Sequence, residues 1–340
     1  MCREPDPGER MTTVSSRRRA IRGSLLASLL AVSVAPSGPP AWACDSASCS
    51  LLTRGANGLL AKKKLRLDLS FGYTDKALLL EGSQPVDSVY RPRIFFEHQT
   101  IVPGFHRDID GYDRVLQGDL TYGLSPRLNL QASVPLTVWH VHQVAHGSYA
   151  REYGTVGLGD VLLGARWSMR PRQLVAGFSV KVPTGRYDIG GEFGGGIQDP
   201  TLQPGTGAFD FVGLLQYSWR AEALGLNCTA AATYQATTTN RLEYRFGNQT
   251  IATATVARPL TSTLTASLQA KFYHQDRSLY LGQGVPSTGG TFVYLTPGLN
   301  VRASGGFSLY AFLLLVPYRY VNEAQLGPRV AILTGVSKMF

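Results

Sequence analysis

From residue 63 onward, runs of about ten residues place apolar side chains at every second position, which is the period of an extended strand. In LRLDLSFGY, Leu65, Leu67, Leu69, Phe71 and Tyr73 face one way and Arg66, Asp68, Ser70 and Gly72 the other. RLNLQASV sets Leu128, Leu130, Ala132 and Val134 against Asn129, Gln131 and Ser133. FDFVGLLQYSW sets Phe209, Phe211, Leu215, Tyr217 and Trp219 against Asp210, Gln216 and Ser218, and LTASLQAKF repeats the pattern. Continued along the chain, the alternation predicts about twelve strands, near 63–76, 113–124, 127–141, 157–169, 173–183, 207–219, 224–236, 244–257, 263–275, 291–303, 307–321 and 329–340. Pro135, Pro297 and Pro317 fall inside these runs, where each removes a ladder hydrogen bond, so bulges or early strand ends are expected there.

The connections alternate in length. GLSPR, RPR, RAEALG, RPLTS and SGG are tight turns, whereas 77–112, 142–156, 184–206, 237–243, 276–290 and 322–328 are the longer links. Short turns on one side and long loops on the other describe an all-β, antiparallel up-and-down barrel spanning an outer membrane. Hydrocarbon offers no partner to a backbone N–H or C=O, and a closed barrel satisfies each one while leaving no edge. Strands of ~9–11 residues suffice to cross. A soluble sandwich would also alternate, but it would leave Tyr73, Tyr122, Trp139, Trp167, Tyr217, Trp219 and Tyr234 at strand ends without a reason; a barrel uses them as interfacial girdles.

Both ends of the chain fit this class. Val330, Ile332, Val336 and Phe340 share one face of the last predicted strand. A terminal aromatic residue on such a strand resembles the sorting signal read by the outer-membrane assembly machinery, although Lys338 departs from the pattern. At the other end, SSRRRAIRG, SLLASLLAVSVA and PSGPPAWA read as the basic, apolar and cleavage regions of an export signal, with cleavage after Ala43. The apolar region is too short to span a membrane as a helix, which takes ~20 residues. The start is Met1 or Met11. The domain plan is therefore a signal peptide at 1–43, a periplasmic segment at 44–62 and a barrel at 63–340. Cleavage leaves Cys44 first and Cys49 five positions on, for which a disulfide, free thiols or lipidation of Cys44 are the alternatives.

Composition narrows the function. With 37 Gly, 16 Tyr and only 16% charged residues, the chain lacks the balance of a cytoplasmic enzyme. Of the formal charge of +10, about +7 remains once the residues before Cys44 are set aside, and no Lys/Arg block follows AKKKLR, so no nucleic-acid surface is expected. No G-x-S-x-G, H-E-x-x-H or phosphate-cradling glycine motif occurs, His274 and Ser267 share no face, and neither enzymatic activity nor a cofactor is expected. HVHQVAH is the one metal-like cluster: His140 and His142 project from the same side of a strand and His146 follows in the loop. Exposed loop histidines are the simpler explanation.

One resemblance is more specific. GLGDVLLGARW (157–167), KVPTGRYD (181–188), QPGTGAFDFVGLLQYSW (203–219), YRFGNQ (244–249), LTPGLNV (295–301) and VPYRYVNEAQLGPR (316–329) occur in this order. They resemble the successive motifs of the MetA-pathway of phenol degradation family of outer-membrane proteins, over about 115–340. The resemblance implies a transporter-like barrel for an aromatic or other hydrophobic small molecule, with no catalytic residues to carry over.

The expected protein is a monomeric barrel in outer-membrane lipid that moves a small solute, in or out, through a partly plugged, polar lumen. Arg66, Asp68, Asp119, Asp160, Arg166, Lys181, Asp210, Lys271, Arg302 and Arg319 are the candidate lumen charges; they serve an anionic or polar aromatic solute, or pair across the lumen to stiffen it. The alternatives are a metal-binding or structural barrel without transport and, more remotely, a barrel-wall hydrolase.

Overall fold

The computed structural model of the chain describes residues 59–340, apart from 148, 171–172 and 192–195. The export signal and Cys44 with Cys49 lie outside the described residues. Twelve strands form one closed antiparallel barrel: β1 (Leu65–Lys76), β2 (Thr100–Ser125), β3 (Leu128–His146), β4 (Val161–Arg170), β5 (Leu174–Val182), β6 (Asp210–Ala221), β7 (Leu226–Thr237), β8 (Gln249–Pro259), β9 (Leu264–Gln275), β10 (Gly290–Arg302), β11 (Phe307–Val321) and β12 (Val330–Met339). Each stave pairs with its neighbour in sequence, and β12 closes on β1 in a register running from Arg66↔Met339 to Asp75↔Val330. Among the described residues, the predicted tight turns GLSPR, RAEALG, RPLTS and SGG lie at one end and the long connections at the other.

The alternation decides which face meets what. Leu67, Leu69, Phe211, Leu215, Leu268, Leu309 and Ile332 point outward and are exposed, whereas Asp68, Ser70, Asp210, Gln216, Gln269 and Thr296 point inward and are buried. An apolar outer band around a polar-lined interior inverts a soluble protein and suits a hydrocarbon solvent. Trp167, Tyr217 and Trp219 mark the short-turn end of that band, the last two stacked at 5.6 Å. Toward the long-loop end, Arg114 lies over the rings of Tyr112 and Trp139 at 4.5 and 4.3 Å.

Two of the three prolines mark irregularities. The β2–β3 ladder shifts at Leu116/Gln117 opposite Pro135, and the β10–β11 ladder shifts between Val293 and Leu295, beside Pro317. Pro297 instead sits in an unbroken register opposite Leu268.

The largest departure from expectation is at 77–112, read as a loop. β2 already begins at Thr100, and a further strand, Val89–Phe95, pairs with it. Likewise β3 runs to His146 and pairs with Tyr149–Gly157. These extensions stand beyond the apolar band, where no lipid face imposes the two-residue alternation, so the pattern that marks the staves fades while the backbone pairing continues. Residues predicted as the start of the 244–257 strand form a separate pairing, Tyr244–Arg245 with Leu279–Tyr280. Ile94, Tyr244, Phe246, Tyr280 and Val285 pack into a small core that ties these outer connections together.

Candidate functional site: the barrel lumen

The register stacks the inward side chains in rows. Nearest the short turns, Asp68, Ser337, Ser308 and Arg302 lie side by side on β1, β12, β11 and β10. The next row holds Ser70, Gly335, Tyr310, Asn300 and Thr265, and the one above it Gly72, Leu333, Phe312, Gly298 and Ser267. Further in come Thr296 with Gln269 and Thr255, then Tyr294 with Lys271 and Thr253, then Phe292 with Tyr273 and Ile251. Successive rows are ~6.6 Å apart along a strand.

The lumen is therefore not polar throughout, contrary to expectation. Val115, Val138, Ile251, Tyr273, Tyr294, Tyr310, Leu314, Val316, Ala331 and Leu333 form one contiguous apolar cluster in its middle, with Leu214, Phe292 and Phe312 packed against it. Leu314 and Leu333 are each 1% exposed although they point into the barrel, so water does not pass beside them in this structure. Glycines make room for the rings. A Cβ on Gly298 would overlap the Phe312 ring, and one on Gly335 would meet the Tyr310 ring at 2.5 Å, so both rings lie flat on bare backbone.

On either side of this belt the lumen opens. A cavity of about 700 Å³ toward the short turns is lined by Arg66, Asp68, Gln269, Thr296, Asn300, Arg302, Tyr310 and Phe312. A smaller one of about 130 Å³ toward the long loops is lined by Lys76, Asp113, His142, Tyr273, Phe292 and Tyr294, and also by Thr201 and Leu202 of the 183–209 connection. That connection folds back into the barrel mouth.

The family-like motifs are the fasteners of this inward loop. Lys181 at the end of β5 sits 2.6 Å from Asp210 and 3.3 Å from Asp160 and donates to the Thr206 hydroxyl at 2.5 Å. The Thr206 hydroxyl and backbone N–H donate to Asp160 at 2.7 and 2.9 Å, Gly185 N–H donates to Asp160 at 3.0 Å, and the Gln235 amide donates to Asp210 at 2.7 Å. The two legs of the loop then touch: a Cβ on Gly185 would lie 2.7 Å from the Gly205 Cα, and a Cβ on Gly205 would overlap Gly185. Only paired glycines allow that approach. The spacing in KVPTG and QPGTG is thus a packing requirement.

A second network pins the loop from the neighbouring β2–β3 wall. His140 Nδ1 lies 2.6 Å from Asp113, which also holds Lys76 at 2.5 Å. His142 and His106 approach Asp108 at 3.1 and 3.4 Å, and Arg91 bridges Asp108 to Asp199 of the loop at 3.9 and 3.3 Å. Burial alone would raise the Asp199 carboxyl, but Arg91 and the Thr201 hydrogen bonds outweigh it and hold its pKa below the ordinary value.

The ten predicted lumen charges all take inward positions, but most serve as struts. Arg66 pairs with Asp68 at 3.1 Å; Asp119 accepts from Gln117 and Ser133 at 2.6 and 2.5 Å; Arg166 lies within electrostatic reach of Arg66 and Asp119. Arg319 donates to the carbonyls of Pro328 and Arg329 at 2.6 and 3.0 Å. Lys271 is buried in the belt with its ammonium 4.1 Å from the Tyr294 ring centroid, and Arg302 stands exposed at the short-turn rim. The histidines divide. His140 and His142 point inward onto carboxylates, whereas His146 is exposed, its Nδ1 3.0 Å from the Phe105 carbonyl. Among the described residues no group of His, Cys, Asp and Glu is arranged to hold a metal ion. Asp108, Asp113, Lys76 and Arg91 were missed because they lie at and beyond the end of the predicted staves. At the terminus, Ile332 and Phe340 face outward, 42% and 54% exposed. Lys338 folds its ammonium over Phe307 and Phe340 at 4.0 and 5.3 Å, which accounts for a charge on the lipid side.

A closed twelve-stranded barrel with an apolar exterior and a plugged lumen has the architecture of outer-membrane channels. Residues 100–315 match the MetA-pathway of phenol degradation family, and the chain belongs to it. It is similar to the COG4313 outer membrane channel from Pseudomonas putida F1, at 14% identity and a TM-score of 0.53, over 83% of this chain and 97% of that one. Remoter barrels include the CymD monoaromatic hydrocarbon channel (10% identity, 82% and 88% coverage, TM-score 0.43) and the translocator domain of the autotransporter NalP from Neisseria meningitidis (10%, 86% and 96%, 0.44). No curated protein matches the sequence.

Proposed function

We propose that this protein is a monomeric outer-membrane channel for the uptake or efflux of a small aromatic or otherwise hydrophobic solute. The observation that carries the reading is the apolar, aromatic-rich belt between two cavities. A narrow apolar stretch resists wetting and opposes hydrated ions, whereas an apolar solute exchanges water for ring faces there. The inward 183–209 loop, pinned by Lys181 and Arg91, narrows the entry on the far side. Lipid surrounds the barrel, the assembly machinery inserts it by way of the β12 end, and within the membrane band the twelve closed staves offer no open edge for a second subunit to pair with.

Purified barrel in liposomes should pass benzyl alcohol or phenol faster than a sugar of similar size, and Phe312→Ala should raise ionic conductance in planar bilayers several-fold by opening the belt. A barrel that passes neither solute, with conductance unmoved by Phe312→Ala, would leave a structural role as the better reading.

A further inference from the structure

The cavity at the short-turn end has more chemistry than a passage for a neutral apolar solute requires. We infer that it is a binding site for a small aromatic carboxylate; this rests on the channel reading and names the class of solute. Arg302 is exposed on the rim row and makes no ion pair among the described residues, whereas the other two charges lining the cavity, Arg66 and Asp68, hold each other at 3.1 Å. The cavity thus presents one uncommitted guanidinium, the group whose planar fork best fits a carboxylate.

One row further in from Arg302, paired with Asn300, is Tyr310, and one row beyond that, paired with Gly298, is Phe312. The two rings are tilted against each other with centroids 5.7 Å apart, and both line the cavity. Rows are ~6.6 Å apart, so a carboxylate at Arg302 places an attached ring at the level of Tyr310, with the Phe312 ring one row beyond it. That separation is the length of a one-ring acid.

A second feature marks the inner end of the cavity. Thr296, deeper in the same cavity and 1% exposed, has a buried hydroxyl with no hydrogen-bond partner. A buried hydroxyl left unsatisfied is costly unless a ligand or water completes it. Three rows, about 20 Å along β10, separate Thr296 from Arg302, so a one-ring acid held at Arg302 stops short of it and the cavity has room for a longer aryl chain.

Calorimetry on the detergent-solubilised, heat-modifiable barrel provides the test, with benzoate, 4-hydroxybenzoate and benzyl alcohol as probes. Benzoate should bind about tenfold tighter than benzyl alcohol, the weight of one charge-assisted hydrogen bond. Arg302→Gln should erase that preference and leave benzyl alcohol unchanged, while Phe312→Leu should weaken all three probes. Thr296→Val, beyond the reach of a one-ring acid at Arg302, should leave all three probes unchanged. Rising salt should shrink the benzoate preference in the unaltered protein, which needs no variant. Equal binding of benzoate and benzyl alcohol, or a preference indifferent to Arg302→Gln and to salt, would overturn the site. Liposome permeation separates the two proposals: benzoate binding without permeation of any probe sinks the channel and keeps the site, and permeation without benzoate preference does the reverse.

Discussion

Replacing Lys181 by Met removes the cation from between Asp160 and Asp210 without creating a void, since Met keeps most of the aliphatic length. All three side chains are 3–5% exposed, so the two carboxylates would face each other without solvent or counter-charge. Breaking a buried pair by deleting one partner costs about 3–5 kcal/mol, because the remaining charge is uncompensated. Here two are left, while the Gly185, Thr206 and Gln235 donors that remain offset part of it, so about 3 kcal/mol is the expected net loss. The damage should be local first: Thr206 loses its donor and the 183–209 connection loses one of its two fasteners. Urea titration of the detergent-solubilised barrel, followed by heat-modifiable mobility, should show a lower midpoint, and bilayer recordings should show larger or noisier openings. Adding Asp160→Asn and Asp210→Asn to Lys181→Met removes the orphaned charges and should recover much of the stability. A Lys181→Met barrel with an unchanged midpoint and unchanged conductance would refute the fastening role.

Three further outcomes are expected. Removing Phe340 should reduce the membrane-inserted form by more than the few kcal/mol that one interfacial ring contributes, with Phe340→Tyr mild and Phe340→Asp severe in a pulse-labelled insertion assay; normal insertion at normal expression would discard the sorting role. A protease site placed near 192–196 should be cut on intact cells, and protection there with cutting at LSPR would invert the proposed topology. Gly205→Ala should push the two legs of the loop apart at Gly185 and cost about 1–3 kcal/mol, read as a lower urea midpoint and faster proteolysis of 183–209, whereas Gly213→Ala, where a Cβ meets open space, should be near neutral.

By itself the sequence determined the staves. A barrel wall has lipid on one side and lumen on the other, so burial alternates with the pleat, and LRLDLSFGY or FDFVGLLQYSW carries strand, face and approximate ends together. Turn length then fixes the order around the barrel, because antiparallel neighbours joined by GLSPR or SGG leave little choice of partner. The strand from 89 to 95 and the start of β2 at Thr100 were not legible, since beyond the membrane band pairing continues without a lipid face to write the alternation. The lumen was legible only as a set of inward residues. Whether Asp210 is a free charge or half of a pair with Lys181, and whether Tyr310 and Leu314 line a pore or close it, depends on which staves face each other across the barrel and how far a loop folds back into it. Those are distances between residues far apart in the chain, and only the closed tertiary structure decides them.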